Sequence, residues 1–338
     1  MVELKQKQTK NPSVALVSMP WTTLLEPSLG LGILKASLHR AGIQNRIHHL
    51  NLFLLKYLSS RMYLTLGGSF AFNDFIFSYS IDPSFTENQS SHLPGIIERL
   101  YESGQTDREK YPSKERFRDA VLNIREKVIP QFLEDCVETV INTQPEPTMV
   151  GFSCLFDQTI ASVALSQLIK KKLPSTLIVF GGYALEGSAG MQIIKSFPWI
   201  DAVAFGEGEN IIAPLSHAST NRSRLRSIPG LLYRSKPEGE ILESLPRHPH
   251  INLDTSPDPD FSDYKTDLAT LSKEHKVTIT WNRLPLETSR GCWWGQKSHC
   301  VFCGIDDDSL RYRKKSPDKA LQSMENLSND YNIGFFRI

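Results

Sequence analysis

The sequence predicts an α/β protein: a doubly wound, Rossmann-like sheet domain with a helical insertion, followed by the first β-α unit of a partial barrel. Three observations predict it. Short apolar runs ending in proline or glycine recur along the chain. Segments with helical spacing and capping signals alternate with those runs. Three of the five cysteines fall in one late loop, "RGCWWGQKSHCVFCG".

"SVALVSMP" (Ser13 to Pro20) reads as a buried parallel strand. The helix after it has Ser28 as N-cap, Leu31, Leu34 and Leu38 at helical spacing, and Gly42 as its stop. Asn45 to Leu52 reads as a second strand, so the opening is a β-α-β unit. The rhythm returns with a strand at Thr148 to Leu155 and a helix capped by Asp157. That helix runs through Ile160, Val163, Ala164 and Leu168 to Lys170, Lys171 and Lys172, where cations suit the helix dipole. The strand "STLIVFGG", a helix over 189–196 and a strand from Asp201 to Glu209 complete the alternation.

Residues 53–147 lack this rhythm and are expected to form the insertion, helical over 115–142 with a break at Pro130. Within it, "FAFNDFIFSYS" reads as ordinary core rather than a ligand shelf. The sheet domain is thus expected over 11–225, and a hairpin and linker over 226–275, with "RSKPEGE" as the turn and "DTSPDPDF" as the linker. Residues 276–338 open with a strand, Lys276 to Asn282, and carry the cysteine loop. They resume as a helix from Ser316, Pro317 and Asp318 to about Asn329 and end in the strand "NIGFFRI".

With 338 residues the chain has room for about two domains. Lys plus Arg (38) nearly balances Asp plus Glu (37), so charge gives no argument for nucleic acid or an anionic membrane as partner. The first residues lack the apolar core of a signal peptide, and no apolar run approaches the roughly 18 residues of a membrane span. A cytoplasmic location is therefore expected. In that reducing compartment, clustered cysteines point to metal or redox chemistry rather than disulfides.

Cys292, Cys300 and Cys303 are separated by seven and then two residues. Three thiolates suit a four-iron, four-sulfur cluster that keeps one iron open for a chelating substrate. Structural zinc is the main competitor, with His299 completing a formal Cys₃His set, although adjacent His299 and Cys300 are hard to aim at one tetrahedral centre. Unligated thiols are the third reading. Cys136 and Cys154 read as small buried hydrophobes, and His48 and His49 as structural.

This loop, with Arg-Gly before its first cysteine and an aromatic residue before its last, resembles that of radical S-adenosylmethionine (SAM) enzymes. Most members space the first two cysteines more closely. The long gap and the "CWWG...HCVFCG" wording resemble the cobalamin-dependent radical SAM C-methyltransferases that mature ribosomally made peptides, and so do "PSLGLGILKASL", "FGG" and "FGEGE". The resemblance implies a cobalamin-binding α/β domain before a radical SAM barrel. It implies a 4Fe-4S cluster on Cys292, Cys300 and Cys303, SAM on the open iron, and Phe302 near the SAM adenine. It further implies a precursor peptide as substrate and an electron donor as partner. Trp293 and Trp294 either shield the cluster or simply pack.

In an open α/β sheet a ligand sits over the carboxyl ends of the strands. Cobalamin is accordingly expected near Met19, Trp21, Ser153, Leu155, Gly181, Gly182, Tyr183, Gly206, Glu207 and Gly208, with ordinary tight turns as the alternative for any one glycine. No Asp-x-His-x-x-Gly follows the first strand, so the usual histidine donor to cobalt is missing. A barrel of this kind needs about six β-α units at some 30 residues each, and the chain ends after the first. The expectation is a truncated product, a fragment, or half of a split enzyme whose partner chain carries the remaining strands, inactive alone. A non-catalytic cobalamin-binding module and a zinc-stabilised regulatory protein remain the alternatives.

Overall fold

The chain is described by a computed structural model over residues 11–338, apart from 69, 85–92, 104–105, 248–249 and 306–308. Its first apolar run forms β1 (Ser13–Ser18), buried throughout. Parallel partners follow as β2 (Gln44–His49), β3 (Met149–Ser153), β4 (Leu177–Gly181) and β5 (Ala202–Ala204), in the spatial order β2-β1-β3-β4-β5. Side chains alternate across a strand. Val14, Leu16, Met149, Leu177 and Val179 therefore enter one core layer, and Ala15, Val17, Val150, Phe152, Ile178 and Phe180 the other. Burial on both faces is what makes these strands continuous apolar runs. Chain order reverses between β1 and β3, the switch point of a doubly wound sheet.

The sheet runs on past residue 225. β6 (Leu231–Arg234) pairs antiparallel with β5, and β7 (Ile241–Glu243) with β6. The expected turn closes this hairpin, with Ser235 N–H donating to Glu240 O (3.0 Å). The Asp201 to Glu209 run is a strand only over β5, because Gly206 takes φ +77° and turns the chain away.

Helix α1 (Leu29–Arg40) starts where Ser28 Oγ accepts from Leu31 N–H (3.3 Å) and stops before Gly42 at φ +70°. The insertion comprises α2 (Leu50–Phe53), α3 (Ser60–Gly67), α4 (Phe70–Ile81), α5 (Leu93–Glu102), α6 (Lys114–Asn123) and α7 (Ile129–Ile141). The break expected at Pro130 is a π-helical turn, Ile124–Val128, which lets Pro130 fall in the first turn of α7, where its missing N–H costs nothing. Helix α4 packs on α8 (Thr159–Lys172), and its Phe72, Phe75 and Phe77 are buried, so the aromatic stretch is core. Asp157 does not cap α8. It lies in a single tight turn, Phe156–Gln158, and Gln158 is drawn back to the end of β1, donating to Met19 O (2.7 Å).

Helices α9 (Ser188–Ser196) and α10 (Ile212–Ala218) follow the strand rhythm. The 226–275 segment differs from a hairpin and linker, because it ends in a 14-residue helix, α11 (Ser262–His275). Its carboxylates cover the edge strand: Asp263 accepts from Ile47 N–H (2.8 Å) and Lys35 Nζ (2.6 Å), and Asp267 from Arg46 (2.8 Å) and His49 N–H (3.3 Å). A helix that feeds acceptors to the open donors of β2 blocks edge pairing.

The expected strand Lys276 to Asn282 forms no ladder, and Lys276 itself is the left-handed cap of α11 (φ +56°). Val277, Ile279 and Trp281 alternate because one side packs on the core, not because a ladder forms. The ladder lies just beyond, where β8 (Leu284–Pro285) pairs parallel with the last strand, and β9 (Ser289–Arg290) pairs antiparallel with β10 (Arg313–Lys314). Between them α12 (Pro317–Tyr331), capped by Ser316, leads to β11 (Phe336–Arg337). Among the described residues, no helix is long and apolar enough to cross a membrane.

His48 is structural and titrates abnormally. Burial, helped by Arg46, lowers its pKa to about 4 despite Asp267 and Asp263, and its Nε2 lies 3.1 Å from Thr143 Oγ1. The unfolded histidine protonates first as pH falls below about 6.5, so the native state loses stability from there down to about pH 4. The expected loss is roughly 3 kcal/mol from this group. Urea unfolding across that range checks it, and His48→Gln should flatten the slope.

Candidate functional site

At the carboxyl ends of β1, β3 and β4 a cavity of about 380 Å³ opens between the sheet and the layer of α1 and α10. Gly151 helps to keep it open, since a Cβ there would stand 3.1 Å from Leu16 Cδ2. Ser153, Leu155, Gly181, Gly182, Gly206, Glu207 and Gly208 line it, as expected of a switch-point site. Met19, Trp21 and Tyr183 do not. After β1 the chain dives into the insertion core, where Met19 is fully buried and Trp21 packs on Tyr63 and Phe77. Tyr183 lines a neighbouring cavity of about 250 Å³, with Arg247, His250 and Arg313.

The glycines serve different purposes. Gly182 (φ +116°) is a tight turn, because a Cβ would stand 2.5 Å from Cys154 O. Gly208 permits close helix packing, with Leu34 Cδ2 at 2.7 Å from such an atom. Gly206 (φ +77°) has space around it, its nearest neighbour being Arg247 Cδ at 3.7 Å.

Beyond the cavity mouth lies the cysteine loop. It begins at Gly291 (φ +83°), where any Cβ would overlap Arg311 O. Cys292 N–H donates to Leu310 O (3.0 Å), Gly295 N–H to Cys292 Sγ (3.2 Å) and Cys303 N–H to Cys300 O (2.9 Å). All three loop thiols are free and half-buried. Cys136 and Cys154 are also free but buried, and burial raises Cys136 and pushes Cys154 up to about 12. The loop thus presents the accessible thiols, one with an N–H on its sulfur, a donor set that fits iron-sulfur ligation.

The three sulfurs are not gathered round one centre. Among the described residues no three His, Cys, Asp or Glu side chains form a metal-ligand group, with or without His299. Phe302 is 88% exposed. Trp293 and Trp294 are half-exposed and stack edge to face at 5.9 Å, packing on each other.

Ion pairs that sequence reasoning missed join these two parts, with the expected Glu207 among their members. The Arg290 guanidinium meets Glu287 (2.6 Å), Glu209 (2.6 Å) and Glu207 (3.0 Å), while Arg313 meets Glu207 (2.5 Å). Burial favours the neutral form of Glu207, yet hydrogen bonds from Arg313 and the Ile251 N–H, with the charge of Arg290, hold it below the usual carboxylate range. Arg247 ties Glu186 (2.5 Å), which accepts from Gly206 N–H (2.9 Å). Glu287 and Arg290 also line the strand-end cavity. The available signal was complementarity between the acidic "GEGE" and the arginine of "SRGC".

A doubly wound sheet with a strand-end cavity, joined through arginine-carboxylate pairs to a three-cysteine loop, defines the class: an α/β sheet domain preceding a cysteine loop. No family model matches the sequence. Over 211 residues the chain is 28% identical to an anaerobic magnesium-protoporphyrin IX monomethyl ester cyclase from Rubrivivax gelatinosus, covering 60% of this chain and 35% of that protein. Over 196 residues it is 24% identical to the cobalamin-dependent radical SAM methyltransferase TokK from Streptomyces tokunonensis, covering 57% and 27%. The fold is similar to that of the cobalamin-dependent SAM radical enzyme OxsB (TM-score 0.56, 16% identity, 96% of this chain and 33% of that one). It is also similar to the radical SAM methyltransferase TsrM from Kitasatospora setae (0.51, 14%, 95% and 47%). The chain spans about a third of the length of the curated relatives it matches. It is homologous to the cobalamin-dependent radical SAM proteins, the family its cysteine loop resembles.

Proposed function

We propose that this protein is a cobalamin-dependent radical SAM C-methyltransferase-type protein that acts on a ribosomally made precursor peptide. The observation that carries the reading is the sharing of Arg290 and Glu287 between the strand-end cavity and the start of the cysteine loop. Cobalamin would lie in the cavity, edged by Ser153, Leu155, Gly181, Gly206, Glu207 and Gly208, and a 4Fe-4S cluster on Cys292, Cys300 and Cys303. These groups, when bound, supply radical generation from SAM and the methyl group, while the protein supplies binding and orientation.

The chain's own contribution is readable. Gly295 N–H donates to Cys292 Sγ and holds that side chain in place, and apolar walls such as Leu16 and Val179 line the cavity. Exposed Trp293, Trp294 and Phe302 leave an open apolar surface beside the loop, which suits a long, extended substrate better than a small molecule enclosed on all sides. Radical formation requires an external one-electron donor.

Anaerobic reconstitution tests the reading. The protein should take up about four irons and four sulfides. Stoichiometric zinc with no iron would sink it. Added hydroxocobalamin, reduced to the cob(II)alamin state, should give a pulse EPR spectrum without imidazole nitrogen on cobalt, because no histidine among the described residues lines the cavity. A coordinated imidazole would contradict the site assignment. With SAM, reductant and candidate peptides, a mass gain of one CH₂ would mark C-methylation, and ring closure without that gain would mark cyclase-type chemistry instead.

A further inference from the structure

The cysteine loop is held at both ends by side chains from the glycine turns of the sheet. At its start, Arg290 meets Glu209 (2.6 Å) and Glu207 (3.0 Å) from the turn after β5, as well as its neighbour Glu287. At its end, the Tyr183 hydroxyl, from the turn after β4, donates to Gly304 O (2.8 Å). Glu207 is itself anchored by the Ile251 N–H (2.8 Å) and by Arg313, which sits opposite Arg290 in the β9–β10 pair. The chain turns at Gly291 directly after Arg290, and Cys292 N–H is pinned to Leu310 O, so a shift of Arg290 carries the first cysteine with it.

We propose that Glu207 and Glu209 gripping Arg290, and Tyr183 gripping Gly304, form a clamp that fixes the cysteine loop over the mouth of the strand-end cavity. They are positioning residues. The purpose of the clamp rests on the proposed function; its existence rests on the contacts alone. An isolated exposed ion pair would carry little such weight. Here the Glu209 and Arg290 side chains are 9% and 23% exposed, and one cation links segments 81 residues apart. Its planar fork serves three carboxylates at once, which a lysine ammonium does not reproduce. Rigid placement has a chemical reason, since an error of about an ångström between reacting partners costs on the order of a hundredfold in rate.

Tyr183→Phe and Glu209→Gln each remove one grip at nearly constant volume. In cluster-free protein, amide hydrogen exchange at Cys292, Gln296 and Cys303 should run on the order of tenfold faster in each variant, with β3 and β4 exchanging as in wild type. Arg290→Lys should accelerate the loop similarly rather than preserve it. After reconstitution, both single-grip variants should bind iron but show an altered EPR spectrum of the reduced cluster. Unchanged loop exchange would overturn the clamp. So would acceleration spread evenly over the sheet, the signature of a general structural role, or an EPR spectrum identical to wild type in both variants. If wild-type protein takes up no iron, the proposed function fails while the exchange result still decides the clamp.

Discussion

Gly182→Ala is expected to lower the free energy of unfolding by about 3 kcal/mol or more, whereas Gly206→Ala should cost only about 1 kcal/mol. Both sit at strand ends bordering the cavity, yet their surroundings differ. Gly182 has φ +116° and ψ +161°, a combination almost confined to glycine. Its missing Cβ would also stand 2.5 Å from Cys154 O and 3.0 Å from both Cys154 C and N, backbone atoms that cannot swing aside. Those atoms are engaged, since Cys154 N–H donates to Gly181 O (2.7 Å) and Ala184 N–H to Cys154 O (3.3 Å). An alanine must therefore push the β3 and β4 turns apart at the switch point. At Gly206 only the φ of +77° is at stake, because the nearest atom is 3.7 Å away on a flexible arginine. Denaturant midpoints of the two variants measure the contrast. Wild-type stability in Gly182→Ala together with lost cobalamin binding would show that this glycine serves ligand approach, not the turn.

That contrast shows where the sequence was legible. β1, β3 and β4 could be read because burial on both faces left unbroken apolar runs, and α1 because Ser28 and Gly42 mark its ends chemically. α11 was hidden because it follows a proline-rich stretch and earns its place through Asp263 and Asp267, whose partners on β2 lie more than 200 residues away. The alternation in "KVTITWN" was real but recorded one-sided packing, which periodicity cannot tell from a paired strand. A cavity does lie at the strand ends around Ser153, Gly181 and Gly206, where topology alone puts one. Met19 and Trp21 were misplaced because nothing in one strand says which layer its following turn enters. The Arg290 contacts escaped notice because two of the three carboxylates, Glu207 and Glu209, come from another turn, and spacing carries no information about contacts across 81 residues.

Cys292→Ala, Cys300→Ala and Cys303→Ala should each reduce iron and sulfide uptake from about four of each to nearly none, while Cys136→Ala and Cys154→Ala should keep full loading. The argument is one of donors and access. Each thiolate serves one iron, and a cubane with two protein ligands and two open sites is exposed to hydrolysis and oxidation during assembly. The loop thiols are half-buried on a turn whose backbone is already fixed by Leu310 O and Cys300 O, so truncating any one removes a ligand without disturbing the core, and the melting curve should not move. Cys136 and Cys154 are enclosed, and burial holds both thiols protonated, Cys154 up to about 12. Neither can offer a thiolate to a metal, so their loss should show instead as about 1 kcal/mol of stability from the small cavity left behind. Iron and sulfide assays beside thermal melts of all five variants separate the two effects. Full iron loading after removal of any one loop cysteine would break the three-thiolate assignment, and zinc retained by all five would point to a site built from other residues.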